Sequence, residues 1–112
     1  MNPSERDREL SLAILEHCQR IEDACNRFGD DYETFVYDED YQDVINMNII
    51  QIGELANQLT DAFKEQYPDV PWHQMCGIRN IMAHAYIQVD AATVWDTVKN
   101  DIPKLKMLLG GS

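Results

Sequence analysis

The sequence predicts an all-α domain, a bundle of four main helices with short helical pieces between them. Three observations predict it. Apolar residues recur at steps of three and four along most of the 112-residue chain. No segment shows convincing alternation with the period of two that a half-buried strand needs. Gly29, Pro68, Pro71 and Asp90 fall between the periodic stretches, where helix ends and starts belong.

The first helix follows the Pro3-Ser4 start signal and carries the stripe Leu10, Ile14, His17, Ile21, Ala24 and Phe28, with Gly29 as its stop. Residues 30–37, acidic and aromatic, read as a loop with at most one helical turn. A second helix begins near Asp38–Tyr41, where carboxylates meet the positive end of the helix dipole. It turns Ile45, Ile49, Ile52, Leu55, Ala56 and Leu59 inward, and Met47 and Ile50 widen its apolar face enough to predict burial on more than one side. Thr60-Asp61 caps a short helix, Asp61–Tyr67, that packs Phe63. Pro68 and Pro71 enforce a connection, and Pro71 then opens a third main helix running to about Ala85. The last helix runs from an Asp90 N-cap to Leu109 on the stripe Ala91, Val94/Trp95, Val98, Ile102, Leu105 and Leu109, with a kink expected at Pro103. One domain over residues 1–109 with a tail at 110–112 accounts for the chain.

Composition narrows the function classes. No apolar run approaches the length of a membrane span, and the polar start Met1–Glu9 lacks the apolar core of a secretory signal. Three cysteines, an odd number, argue against a disulfide framework and fit the reducing cytoplasm. The net charge of −11 excludes nucleic-acid binding through a broad basic face. It is unevenly spread: residues 1–78 hold five basic and seventeen acidic residues, a net −12, whereas residues 79–112 hold four and three, a net +1. An anion-handling site therefore belongs in the last third. The acidic run Asp38-Glu39-Asp40 reads as a solvated loop or helix start and not as a metal site.

No residue set has the spacing of metal ligands: His73 and Cys76 lack further partners, and Cys18 and Cys25 read as small apolar packing residues. His17 reads as a core or interface histidine. No cofactor motif is present. The remaining candidate is Arg79-Asn80-Ile81-Met82-Ala83-His84-Ala85-Tyr86. An imidazole moves protons near neutral pH, and a guanidinium offsets the charge that grows on a phosphorane, so the set suits phosphodiester cleavage. On a regular helix Arg79 and His84, five apart, diverge by about 140°. A two-fold dimer would let both copies converge on one cleft. Taken alone, the motif is also what a helix with an incidental histidine looks like.

Its surroundings are more specific. Gln51-Ile52-Gly53-Glu54-Leu55-Ala56, then Phe63, then Tyr67-Pro68-Asp69-Val70-Pro71-Trp72, then Gly77-Ile78-Arg79-Asn80 through Tyr86, then Val94-Trp95 and Asp101-Ile102-Pro103-Lys104-Leu105 resemble the HepT-like family. These are HEPN-superfamily ribonuclease toxins of bacterial toxin–antitoxin pairs. The resemblance covers residues 30–109 in order. It implies a HEPN-type helical homodimer and metal-independent RNA cleavage by 2′-OH attack on the adjacent phosphate. His84 would be the proton-transfer residue, Arg79 the phosphate binder and Asn80 a supporting contact. Glu54 would be a partly buried partner of the motif helix, with Arg79 as its counter-charge. It further implies a type VII system, in which a nucleotidyltransferase antitoxin transfers AMP to Tyr86 and so blocks the cleft. Where relatives often carry an arginine ahead of the Ile52-Gly53-Glu54 segment, this chain has Asn46, Met47 and Asn48. The alternative is a non-catalytic helical subunit that binds the nucleotidyltransferase.

Overall fold

The computed structural model describes residues 3–76 and 90–110, and among these every regular element is helical. The elements are α1 (Pro3–Phe28), α2 (Tyr32–Tyr37), α3 (Glu39–Gln58), α4 (Asp61–Glu65), α5 (residues 72–76), α6 (Ala91–Asp96), a π-helical turn (Thr97–Asp101) and α7 (Ile102–Leu109). Among the described residues, no helix is long and apolar enough to cross a membrane.

Helices α1 and α3 lie antiparallel and form the spine. At one end the Phe28 ring stacks on Tyr41 with centroids 4.9 Å apart. At the other, the Asp7 carboxylate accepts hydrogen bonds from the Thr60 backbone N–H at 3.0 Å and from the Thr60 hydroxyl at 2.6 Å. Between them Ile14, Cys18, Ile21, Ile45 and Ile52 are almost wholly removed from water, each large aliphatic side chain contributing about 1.5–3 kcal/mol. The α6–α7 segment closes the bundle against α1: Leu105 is fully buried, Lys99 Nζ reaches Asp30 at 2.5 Å, and Lys106 pairs with Glu22.

The main stripes lie as the periodicity predicts, and three stretches differ. Residues 30–37 are more than a loop. Gly29, at φ +132°, turns the chain through the left-handed region that glycine alone adopts without strain. Asp31 then caps α2 by accepting from the Thr34 N–H and hydroxyl, both at 2.8 Å, which holds its exposed carboxyl below the usual aspartate range. One turn on, Phe35 enters the core and meets Tyr41 edge-on at 5.1 Å. The short helix α4 stops at Glu65: Pro68 has no N–H to offer the Lys64 carbonyl, which accepts instead from the Tyr67 N–H and the Trp72 indole N–H, the latter also donating to the Tyr67 carbonyl. Met47 does not extend the buried face of α3. It is 64% exposed, while Ile50 is half-buried.

The acidic run at 38–40 is a helix start. Asp38 caps α3 by accepting from the Tyr41 N–H at 3.1 Å. In the last helix, Pro103 has no N–H for the Lys99 carbonyl. The disruption takes the form of the π-helical turn that ends at Asp101, with Pro103 placed in the first turn of α7, where a missing donor is tolerated.

Asp7 is 6% exposed and anchors the start of α4 to α1. Asp7→Ala leaves the Thr60 N–H without its partner, and denaturant titration should show a loss of about 2 kcal/mol. Glu9→Ala, at an exposed position of the same helix, should stay within about 0.5 kcal/mol of the parent.

Candidate functional site

Arg79, Asn80, His84 and Tyr86 lie outside the described residues, which stop at Cys76 and resume at Asp90. The structure describes the frame from which that segment departs. Trp72 fixes the start of α5 through its two carbonyl contacts, and Phe63 packs on Tyr67 at 5.1 Å and on the edge of Trp72 at 6.5 Å. One turn later Met75 is buried. It lines a small cavity together with Gly53 of α3, Thr97 and Asp101 of the π-helical turn, and Ile49, Ile52 and Ile102. Gly53, Asp101 and Ile102, which belong to segments quoted for the resemblance, thus meet Met75 one turn beyond Trp72. Glu54 is half-buried on α3; its expected pairing with Arg79 lies outside the described residues.

Asp101 enters this frame as more than one letter of a motif. Its carboxyl is half-buried and sits above the usual aspartate range, first because burial disfavours the charged form and next because Asp96 lies nearby, against the opposing pull of Lys104. Its place between Val98 and Ile102 on the inward stripe was the available sequence signal. Asp7, three residues before Leu10 on the α1 stripe, gave a similar signal.

The other titratable candidates have structural surroundings. The Asn48 side-chain N–H donates to the Val44 carbonyl at 2.8 Å, so its amide oxygen faces His17 Nδ1, also at 2.8 Å. The His17 ring therefore donates from Nδ1 and locks the middle of the α1–α3 seam. Cys18 and Cys25 are buried, and burial pushes the Cys18 thiol up to about 12. Burial likewise keeps the Tyr41 phenol protonated. His73 is exposed and Cys76 half-buried, and among the described residues no group of three His, Cys, Asp or Glu could hold a metal ion.

Comparison with known proteins decides what this frame belongs to. The pattern of the family described as "Ribonuclease HepT-like" matches residues 14–110, from the middle of α1 to the end of α7. The chain belongs to the HepT-like ribonuclease family. A Methanocaldococcus jannaschii protein named "Putative RNase MJ1380" is 37% identical over 87 residues, covering 70% of this chain and 80% of its own. A Thermococcus cleftensis protein named "Probable ribonuclease HepT" is 37% identical over 75 residues, covering 67% and 68%. No solved structure matches the chain. The helical architecture is that of a HEPN-type bundle, and by family this HepT-like protein is an RNA endonuclease.

The raised carboxyl of Asp101 makes a signed prediction. An acid whose folded pKa lies above its unfolded one destabilises the fold increasingly as pH rises from the ordinary aspartate range through the raised value. Asp101→Asn should therefore raise the melting temperature at neutral pH, and that gain should vanish as the pH falls below the ordinary aspartate range. Thermal melts across pH check both arms.

Proposed function

We propose that this HepT-like protein is the toxin of a type VII toxin–antitoxin pair, a metal-independent endoribonuclease that acts in the cytoplasm. The observation that carries the reading is Arg79-Asn80-Ile81-Met82-Ala83-His84-Ala85-Tyr86, which lies inside the span matched by a ribonuclease family. In the proposed reaction His84 takes the proton from an RNA 2′-OH, and that oxygen attacks the adjacent phosphorus. The bond to the 5′-oxygen breaks, that oxygen is protonated, and a 2′,3′-cyclic phosphate remains. Arg79 offsets the charge that builds on the phosphorane oxygens, and Asn80 supports the bound phosphate. Because Arg79 and His84 diverge on a helix, two copies share one cleft across a two-fold axis. Glu54, half-buried on α3, positions the motif helix through its counter-charge.

The chain's charge fits a local site and not a broad binding face. Among the described residues, Lys99 is paired with Asp30, just beyond α1, and Lys106 with Glu22 on α1. RNA is therefore held by a few contacts in the cleft. A nucleotidyltransferase antitoxin restrains the enzyme by transferring AMP from ATP to the phenol oxygen of Tyr86, which gives up its proton as pyrophosphate leaves. The added phosphate then competes with RNA phosphate for Arg79.

Purified protein incubated with cellular RNA provides the test. Arg79→Ala and His84→Ala should each lower cleavage by at least about a hundredfold with the helical circular dichroism unchanged. Cleavage should persist in EDTA and leave cyclic phosphate ends. Wild-type activity in either variant rejects the assignment, and absence of cleavage by the parent favours the non-catalytic, partner-binding subunit.

Tyr86 is tested separately. Co-expression with the nucleotidyltransferase should add AMP masses to a peptide containing Tyr86, and Tyr86→Phe should escape both modification and restraint. Modification mapped to another residue rejects this part while leaving the nuclease reading intact.

A further inference from the structure

An open groove of about 580 Å³ runs between the C-terminal half of α1 and the start of α3. Its two walls carry opposite charges, Arg20 and Arg27 on α1 and Asp40 and Asp43 on α3, with Val44 beside the aspartates. Among the described residues no ion pair spans it. Arg20 is paired along its own helix with Glu16 at 2.9 Å, and Arg27 lies over the Phe28 ring at 5.7 Å. Asp23, the one carboxylate on the α1 wall, is engaged by the Gln19 side-chain N–H at 3.0 Å. Along the same edge of α3, Met47 is 64% and Val44 37% exposed.

This surface matches itself. The Phe28–Tyr41 stack sets Arg27 level with residues 40–43 of α3. A two-fold axis parallel to the helix pair preserves that level and lays each α1 opposite the other copy's α3. Arg27 then faces the partner's Asp40 and Asp43, and the contact repeats symmetrically. The groove is also remote from the motif's frame. Val44 and Gly53, nine residues apart, point about 180° from one another on α3, and Gly53 is the residue that shares a cavity with Met75.

We propose that a second copy of this chain docks in the α1–α3 groove, with Arg27 against the partner's Asp40 and Asp43 and with Val44 and Met47 withdrawn from water. This contact is distinct from the shared cleft of the proposed nuclease and does not rest on that activity. With both contacts formed, the protein assembles beyond two copies.

Charge reversal tests it. Arg27→Glu or Asp43→Arg alone places like charges opposite each other twice, and each should weaken association through the groove by about tenfold or more. Mixing the two variants restores opposite charges at both places, so the mixture should recover the parent's assembly. Sedimentation velocity at several concentrations reads the sizes, and circular dichroism confirms the fold. A parent larger than two copies, single variants that stop at two, and recovery on mixing establish the groove contact. A parent of two copies that both reversals split and mixing restores also supports it, and counts against a shared-cleft dimer. Sizes unchanged by either reversal, or lost in both variants and not recovered on mixing, overturn it.

Discussion

The antiparallel seam between α1 and α3 is the constraint on which the remaining structure depends. Twenty-six residues of one helix and twenty of the other are held in register at both ends and in the middle. Phe28 on Tyr41 closes one end, Asp7 on Thr60 the other, and the His17–Asn48 hydrogen bond lies between. The polar clamps add less free energy than the isoleucines between them, but they are directional. An aliphatic stripe tolerates a shift by one turn, whereas a carboxylate receiving two hydrogen bonds from one residue does not. Register along this seam sets where Gly53 and Glu54 stand, and so where the frame around Met75 forms.

Two further parts are positioned from that seam. The aromatic group Phe28, Phe35, Tyr41 and Trp95 joins α1, α2, α3 and α6 at one end, with Phe35–Trp95 centroids 5.3 Å apart. The π-helical turn then lets both Thr97 and Val98 pack inward while bringing Asp101 to the cavity beside Gly53 and Met75. Burying a carboxylate there opposes stability.

The charge of the chain bears on its membership of a ribonuclease family. A protein carrying −11 is repelled from RNA at long range and must gain its affinity at close range. Eight of the twenty acidic residues lie on caps or in first turns, Asp31, Asp38 and Asp90 among them, where they complete helix starts. Along the sequence the cationic residues of the last third stand among fewer carboxylates, and the fold brings Asp30 to Lys99 and Glu22 to Lys106.

The helical class, the main stripes, the Thr60 and Asp90 caps and the solvated start at 38–40 were legible in the sequence, because each is set by contacts within a few residues along the chain. The family was legible as well, from the resemblance carried by Ile52-Gly53-Glu54, Pro68 to Trp72 and Arg79 to Tyr86, all of which lie inside the matched span. What only the tertiary structure decided depends on partners distant in sequence. Asp7 became a buried anchor through Thr60, 53 residues away. The helix that Asp31 caps at residues 32–37 is held to the bundle by Phe35, which packs against Tyr41 and Trp95. Met47, apolar and on a helix rich in isoleucine, was left in water because the neighbouring elements pack on other faces of α3. Periodicity records which side chains avoid water; which of them find a neighbour is set by the arrangement of helices that no single stripe encodes.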